Sequence, residues 1–221
     1  MKGDLSMFKV NWPSSYAVCE YNRTRVLSET PAFSCEFRPG LYALTGPMER
    51  GGWGFAYAIS SRRHKETITD GTPSFALDDV SYSLEEIRRQ AHPLGVPRGL
   101  IARRRFAQSQ IRDKSLISVF DLTQARINRP IWQAGNEVWR ITTAIGIDQG
   151  KRIFCFPWLS AKHVEILRPS LEFISEEMKK RGTYCFLPMA ASPNADLPVD
   201  GIIDFSNDAV CRLEVPAPGR P

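Results

Sequence analysis

The sequence predicts an α/β fold built on a mainly parallel β-sheet, and three observations support this prediction. Apolar runs at residues 41–45, 153–156, 184–187 and 201–205 have the length and composition of buried strands. Helical patterns at residues 53–61, 136–148 and 162–180 lie between them, as parallel strands require. The chain has 221 residues, 43% of them hydrophobic, and can therefore bury a substantial core.

The remaining elements refine this fold. Residues 16–21 and 33–37 read as half-buried strands in an N-terminal antiparallel β part, and the Arg38-Pro39-Gly40 turn leads into the run at 41–45. Residues 82–90 read as the start of a helix with Ser83 as its N-cap. Asn136 is the expected N-cap of the 136–148 helix. Pro169 is expected to break the 162–180 helix.

Composition narrows the function classes. No run approaches the roughly 18 apolar residues of a membrane span, and no secretory signal is recognised, so a cytoplasmic protein is expected. The five cysteines form no CxxC pair, and the three histidines lie far apart. This pattern predicts no metal site and no disulfide framework, and no catalytic constellation of a different enzyme class emerges.

Positive charge is concentrated in the middle of the chain. The net charge is +5, and between Arg88 and Lys114 the only acidic residue among many arginines is Asp113. Such a run can bind nucleic acid, a lipid surface or a protein partner. It is equally typical of a helix face that is exposed to solvent. The sequence leaves these alternatives open.

The stretch GPMERGGWGF, residues 46–55, directly follows the apolar run at 41–45. Its glycines have the spacing of the phosphate-binding motif G-x-x-x-x-G-K-[ST]. Where that motif has a lysine and then a hydroxyl residue, this chain has Gly52 and Trp53. No lysine lies between Lys9 and Lys65, so the substitution does not depend on the alignment.

The order of these segments resembles the nucleotide-binding domain of ATP-binding-cassette (ABC) transporters. The likeness runs over nearly the whole chain and rests on EYNRTRVL, FSCEFRPGLYALTGP, LEEIRRQAHPLGVPRG, IWQAGNEVWRITTAIGIDQGKRIFCFPWLS and RGTYCFLPMAA with VDGIIDF. The resemblance implies a P-loop NTPase-like core, an N-terminal antiparallel β part and a small helical subdomain. It places a single domain at residues 1–215, the helical subdomain at about 82–140 and a flexible tail at 216–221.

The resemblance also assigns positions to the family's functional residues. Tyr21 matches the residue that stacks on adenine, and Arg98 matches the glutamine of the glutamine loop. Pro157 and Trp158 match the magnesium-binding aspartate and the catalytic glutamate, and Ala190 matches the switch histidine. The family's signature motif maps onto Trp132, Gln133, Ala134, Gly135 and Asn136. The degenerate nucleotide site that the resemblance implies comprises Tyr21, Gly46, Gly51, Gly52, Trp53, Arg98, Pro157, Trp158 and Ala190.

These positions lack the groups that ATP hydrolysis requires. Residues 153–164 contain no carboxylate, and no histidine follows His163. Without a carboxylate, that segment can neither hold magnesium nor activate water. We therefore expect a degenerate cassette that is not an enzyme, has no catalytic or metal-binding residue, and binds no cofactor of its own, any ATP and magnesium being held by a partner. We further expect the indoles of Trp53 and Trp158 to fill the nucleotide pocket.

The resemblance implies partners. The family's cassettes pair head to tail, so we expect an active ABC ATPase subunit, a transmembrane permease or both, with the chain on the inner face of the membrane through them. Arg98, Arg103, Arg104 and Arg105 are candidates for docking the permease. Two alternative hypotheses remain open. The chain is a soluble basic protein that binds nucleic acid or a regulatory partner, or it is a conventional ATPase with unusual motifs.

Overall fold

A computed structural model of the chain describes residues 7–21, 24–60, 68–69, 74–75, 81–83, 111–129, 133, 135–190, 197–206 and 213–214. The chain divides into two compact units, residues 1–83 with 152–221 and residues 84–151.

The described strands all lie in the first unit. In chain order they are β1 (Phe8–Trp12), β2 (Ser15–Tyr21), β3 (Thr24–Thr30), β4 (Phe33–Phe37), β5 (Gly40–Thr45), β6 (Ile68–Thr69), β7 (Ser74–Phe75), β8 (Ser81–Ser83), β9 (Ile153–Cys155), β10 (Tyr184–Met189), β11 (Gly201–Asp204) and β12 (Leu213–Glu214).

The main sheet has the order β12-β11-β5-β10-β9-β8. Strands β11, β5, β10, β9 and β8 run parallel to one another, and β12 is an antiparallel edge strand. Every residue of β5 and β10 is buried, which is why both strands read as continuous apolar runs. Two small antiparallel sheets, β4-β1-β7 and β3-β2-β6, contain the other described strands.

Five helices are described, two in the first unit and three in the second. They are α1 (Trp53–Ser60), α2 (Ser115–Val119), α3 (Gln124–Ile127), α4 (Val138–Asp148) and α5 (Ala161–Arg181). Helix α1 follows β5, and α5 connects β9 to β10, so each covers the sheet as a crossover helix does. Ser160 caps α5 by accepting a hydrogen bond from the His163 amide, and Gly182 ends it with a φ of 65°.

An aromatic cluster joins the main sheet, the β1-β4 pair and α1. Phe186 of β10 packs edge-on against Phe37 of β4 and Phe55 of α1, with ring centroids 5.1 and 5.4 Å apart. Phe33 contacts both Phe55 and Phe205 in the same way. Each such pair contributes about 0.5–1.5 kcal/mol beyond its buried area. The β1-β4 pair and the parallel sheet therefore share one core.

Pro188 lies inside β10, although a proline nitrogen cannot donate a hydrogen bond. Its carbonyl accepts a hydrogen bond from the Leu159 amide at 2.9 Å. Strand β9 ends at Cys155, so no regular strand partner needs a donor at this position.

The second unit is helical in its described part. Ile111, Leu116, Phe120, Ile127 and Ile141 are fully or almost fully buried. The Asp148 carboxylate holds the segment before α2 by accepting hydrogen bonds from the Asp113 amide at 2.9 Å and from Arg112 Nε at 3.0 Å. These bonds hold the pKa of Asp148 below its ordinary value despite partial burial, and the bond from the Asp113 amide has the largest effect.

The predicted α/β class and parallel sheet are confirmed, and two local predictions are wrong. Ser83 ends β8, and the helix predicted after it lies outside the described residues, so its role as a helix cap stays a prediction. Asn136 is not the N-cap of α4, because a 3₁₀ turn at Gly135–Glu137 precedes this helix and moves the cap to Glu137. Pro169 does not break α5, which runs through it without interruption. Its side chain lies on the exposed face of α5, so the proline costs the helix one internal hydrogen bond but leaves the buried face to other residues. The domain and subdomain limits predicted from sequence remain predictions.

Candidate functional site

The glycine loop, residues 46–52, joins the carboxyl end of β5 to the first residue of α1. The last residue of β5, Thr45, pairs with Met189 of β10 and with Asp204 of β11, so three parallel strands end together at this edge. Ligands of open α/β sheets bind outside the carboxyl ends of the strands. This edge is therefore the candidate functional site.

The loop is bound to β3 by backbone hydrogen bonds. The Glu29 amide donates to the Glu49 carbonyl, and the Gly51 amide donates to the Glu29 carbonyl, both at 2.8 Å. At its start, the Gly46 amide donates to the Met189 carbonyl at 2.9 Å. Within the loop, the Arg50 amide donates to the Pro47 carbonyl at 3.3 Å. Three of its amide groups, at Gly46, Arg50 and Gly51, thus point to protein acceptors.

Thr30 adds a side-chain contact at the same place. Its buried hydroxyl donates to the Gly51 carbonyl at 2.8 Å and accepts from the Phe55 amide at 3.0 Å. The Phe55 amide belongs to the first turn of α1, where backbone donors have no partner inside the helix. One threonine therefore ties the loop and the helix start to β3.

The loop glycines are required by close backbone approach. A Cβ atom at Gly46 would lie 2.7 Å from the Arg50 carbonyl oxygen, and one at Gly51 would lie 3.1 Å from the Pro47 carbonyl oxygen. A Cβ atom at Gly52 would overlap the side chain of Leu44. The motif spacing is thus explained by how tightly the loop folds on itself and on β5.

Trp53 and Trp158 both lie next to the glycine loop. Trp53 is 2% exposed and packs against Ala17 and Cys19 of β2, and Trp158 packs on the same cluster. Trp158 Nε1 donates a hydrogen bond to the Gly46 carbonyl at 3.2 Å. The structure thus brings together three parts of the predicted site, the glycines, Trp53 and Trp158, although whether the indoles fill a nucleotide pocket stays a prediction.

Two of the remaining predicted residues lie at the same edge. Pro157 is buried just beyond the end of β9, and Ala190 is half-buried directly after β10. Tyr21 ends β2, but only its backbone is described.

Asp204 is a residue of this edge that the sequence did not single out. Its Oδ1 accepts hydrogen bonds from Thr45 Oγ1 at 3.1 Å and from the Ser206 amide at 2.9 Å. Burial raises the pKa of Asp204, but the hydrogen bonds from Ser206 and Thr45 outweigh this effect and lower it below the ordinary value. An aspartate that ends a predicted buried strand beside a glycine loop was the only available signal.

The described residues do not fit a magnesium site. No group of three or more His, Cys, Asp or Glu side chains that could hold a metal ion is found among them. Asp204 is bound by protein donors, and Cys155 of β9 is a neutral thiol because burial raises its pKa to about 12. The donors near the loop are therefore mainly backbone amides and the guanidinium of Arg50.

The signature-like segment lies in the second unit and is partly described. Gln133, Gly135 and Asn136 are exposed, and Gly135 has a φ of 62°. Arg126 Nη1 donates to the Gln133 carbonyl at 3.2 Å. Other predicted residues lie outside the described part of the chain, namely Trp132, Ala134, Arg98, Arg103, Arg104 and Arg105.

Comparison with solved structures identifies the fold. CbiO1 from Clostridium perfringens, part of the ABC transporter complex CbiONQ, matches with a TM-score of 0.52 and 9% identity over 90% of this chain and 84% of its own. The ATP-binding cassette MJ1267 of an ABC transporter, in its ADP conformation, matches with a TM-score of 0.55 and 10% identity over 90% of this chain and 87% of its own. The dimeric bacterial ABC transporter cassette MJ0796 matches with a TM-score of 0.51 and 13% identity over 96% of this chain and all of its own. No protein-family model and no curated protein matches the sequence.

These matches confirm the predicted fold class, a P-loop NTPase-like core of the ABC ATPase type with an N-terminal antiparallel part. They also correct one prediction. The expectation that the chain is not an enzyme is contradicted, because the structures that share its fold are ATP-binding cassettes and the fold is that of an ATPase. No helix in the described residues is long and apolar enough to cross a membrane.

Proposed function

We propose that this chain is the ATP-binding-cassette subunit of a membrane transport complex, held on the inner face of the membrane by a permease and paired with a second cassette subunit. The observation that carries the proposal is the glycine loop between β5 and α1, at the carboxyl edge of a parallel sheet with the cassette fold. Loops of this kind present backbone amides and a helix start to phosphate groups.

The nucleotide site of this subunit is proposed to be degenerate and completed by its partner. The loop has Gly52 and Trp53 in place of a lysine and a hydroxyl residue, and residues 153–164 contain no carboxylate. Magnesium prefers carboxylate and water oxygens. We therefore expect the magnesium ligands to come from the paired cassette, while this chain contributes the glycine loop and, across the pair, residues 132–136.

The permease is proposed to dock on the basic segment of the second unit, through Arg98 and residues 103–105. A cluster of arginines suits an acidic protein surface, and each basic residue near an anionic leaflet adds about 1 kcal/mol. Binding of nucleic acid by the same cluster stays an alternative that no described residue favours.

Affinity purification of the tagged full-length chain from its native membranes tests the partner proposal. We expect a multi-spanning membrane protein and a second cassette protein to co-purify. Changing residues 103–105 to alanine should remove the permease. A control with the same loss of charge, Lys9→Ala with Arg129→Ala and Lys162→Ala at exposed positions, should retain it. Recovery of nucleic acid without any membrane protein would overturn the proposal.

The purified complex should hydrolyse ATP in a magnesium-dependent manner. In Gly46→Ala, the new methyl group meets the Arg50 carbonyl and deforms the loop, so turnover should fall at least about tenfold. Gly150→Asn is the matched control, because nothing lies within 4 Å of a Cβ atom there and asparagine tolerates its positive φ. Equal turnover in both variants would exclude a role for the loop.

A further inference from the structure

Arg50 is a cation inside the glycine loop that the motif does not require. Its Nε lies 3.9 Å from Glu29 Oε2, and the two side chains are 41% and 33% exposed. Glu29 belongs to β3, and the backbone of the same residue forms both hydrogen bonds between β3 and the loop. One residue of β3 therefore holds the loop by its main chain and the loop's cation by its side chain.

Glu29 and Thr30 together form what we call the β3 strap. In the strap, the Glu29 carbonyl accepts a hydrogen bond from the Gly51 amide, and the Thr30 hydroxyl accepts one from the Phe55 amide. Amides of such a loop and of the following helix start are the groups that bind phosphate oxygens. While the strap is in place, the Gly51 amide, the Phe55 amide and the Arg50 guanidinium face protein acceptors.

The loop is also folded tightly within the strap. The Gly46 and Gly51 positions approach so closely that a Cβ atom on Gly46 would lie 3.1 Å from the Gly51 Cα atom. Trp158 holds the other side of the loop through the Gly46 carbonyl. The backbone that would surround a phosphate is therefore packed against itself.

We propose that the β3 strap is an autoinhibitory contact that keeps the glycine loop closed to polyphosphate, and that Arg50 is the phosphate-binding cation it holds in reserve. Release of the strap turns the Gly51 amide and the Arg50 guanidinium towards the bound anion. Arginine suits this role, because its fork of donors matches phosphate oxygens. The inference rests on the proposed function, since it concerns the same loop.

The strap changes the apparent affinity for polyphosphate through the fraction of molecules whose loop is open. If only a fraction of the molecules has an open loop, the apparent dissociation constant rises by the inverse of that fraction. A change that weakens the strap without touching the phosphate-binding groups must then tighten binding. A strap that only preorganises the loop for binding predicts weaker binding on the same change.

Glu29→Gln is the sharpest test, because it removes the carboxylate facing Arg50 and leaves the backbone of the strap in place. Glu36→Gln is the matched control, since Glu36 forms a surface ion pair with Lys9 on the β1-β4 pair, away from the loop. The probes are tripolyphosphate and ATP, titrated calorimetrically into the full-length chain. We expect Glu29→Gln to bind both about threefold to fivefold more tightly than Glu36→Gln does, as loss of a half-exposed ion pair allows.

Arg50→Ala decides whether the gain comes through the arginine. In the Glu29→Gln, Arg50→Ala double variant the gain should disappear, and Arg50→Ala alone should bind tripolyphosphate more weakly than the wild type. If the gain in affinity persists without Arg50, it comes only from the reduced repulsion between the Glu29 carboxylate and the anion. That result overturns the role of Arg50. Equal affinities for Glu29→Gln and Glu36→Gln overturn it as well.

Thr30→Val tests the backbone part of the strap, with Thr30→Ser as the variant that keeps the hydroxyl. We expect faster amide hydrogen exchange at Gly51 and Phe55 and tighter tripolyphosphate binding in Thr30→Val, and neither change in Thr30→Ser. Faster exchange with weaker or unchanged binding would overturn the autoinhibitory role. The titrations need no transport partner, so failure to co-purify a permease overturns the proposed function while leaving these results to decide the strap.

Discussion

The amino end of β5 has its main chain fixed by a carboxylate, whereas the main chain at its carboxyl end is held by backbone groups and a threonine. The Asp204 carboxylate at the carboxyl end accepts from the Thr45 hydroxyl instead of the β5 main chain. At the amino end, Asp200 Oδ2 accepts hydrogen bonds from the Leu41 amide at 2.8 Å and from Ser175 Oγ at 2.9 Å, and Lys179 Nζ lies 2.7 Å from Oδ1. At the carboxyl end, the Gly46 amide donates to the Met189 carbonyl, and Thr30 ties the loop that follows.

The two ends of β5 differ in how much free energy it costs to break their contacts. Breaking the contacts of a partly buried carboxylate costs about 2–3 kcal/mol, which strongly favours one arrangement of the amino end. Neutral hydrogen bonds contribute only about 0.5–1.5 kcal/mol each, and a phosphate group can replace their acceptors. The strand is therefore anchored at the end away from the candidate site and exchangeable at the site.

Trp53→Ala should have the largest effect, because it removes a very large buried side chain directly after the glycine loop. Replacing a buried tryptophan with alanine costs about 3–5 kcal/mol of unfolding free energy. Trp53→Phe keeps part of the packing against Ala17 and Cys19 and should cost clearly less. Urea denaturation measures both variants. A loss below 1 kcal/mol for Trp53→Ala would show that the carboxyl end does not depend on this cluster.

The amino end can be tested with a double-mutant cycle on Gly40 and Asp200. A Cβ atom at Gly40 would overlap the Asp200 carboxylate, and Gly40 has a φ of 154°. Gly40→Ala should therefore cost about 2–3 kcal/mol. Asp200→Ala, which leaves the Leu41 amide and the Ser175 hydroxyl without their acceptor, should cost a similar amount, about 2–3 kcal/mol, while Lys179 keeps its ion pair with Glu176.

The double variant should cost less than the sum of the two single variants, because Asp200→Ala removes the atoms that the new methyl group meets. Thermal and urea unfolding measure the three variants side by side. Strict additivity would mean that the cost of Gly40→Ala comes from its backbone conformation alone.

The smallest expected effect is the pH dependence that Asp204 gives to the carboxyl end. Because its pKa is lower in the folded chain, Asp204 contributes stability that is complete above its ordinary pKa of about 4 and is lost as the pH falls through the folded value. Asp204 is exposed, so the contribution is on the order of a few tenths of a kcal/mol after solvent screening. Asp204→Asn should flatten the acid side of the stability profile slightly, measured by urea unfolding between pH 3 and 7. Glu165→Gln, an exposed change on α5, is the control that should leave the profile unchanged.

The sequence predicted the elements with strong local signals. The apolar runs of β5, β9, β10 and β11 and the glycine spacing at residues 46–52 depend on neighbouring residues only. Strand β8 was missed because Ser81, Tyr82 and Ser83 lack an apolar run and are recruited by pairing with β9. The cap at Asn136 failed because a 3₁₀ turn competes with the first turn of α4.

The candidate site was predictable in part, for the same reason. The glycine loop and Trp158 were identified as parts of one site through the family resemblance, but their hydrogen bond joins residues 112 positions apart. The Asp200 anchor joins positions 159 residues apart, and no local pattern indicates it. The role of Thr30 depends on the register of β3 against the loop, which the sequence does not specify.

Pro188 has a consequence for the shape of this edge. In a parallel strand, the amide and carbonyl of one residue point towards the same neighbour, and the Pro188 carbonyl points towards the segment after β9. A proline there offers no donor, so β9 cannot be lengthened residue by residue alongside β10. The chain after β9 pairs with β10 again only at Leu159, whose amide donates to the Pro188 carbonyl and whose carbonyl accepts from the Ala190 amide. The break in regular pairing between Phe156 and Leu159, the segment that contains Trp158, therefore coincides with the one position of β10 that has no amide hydrogen.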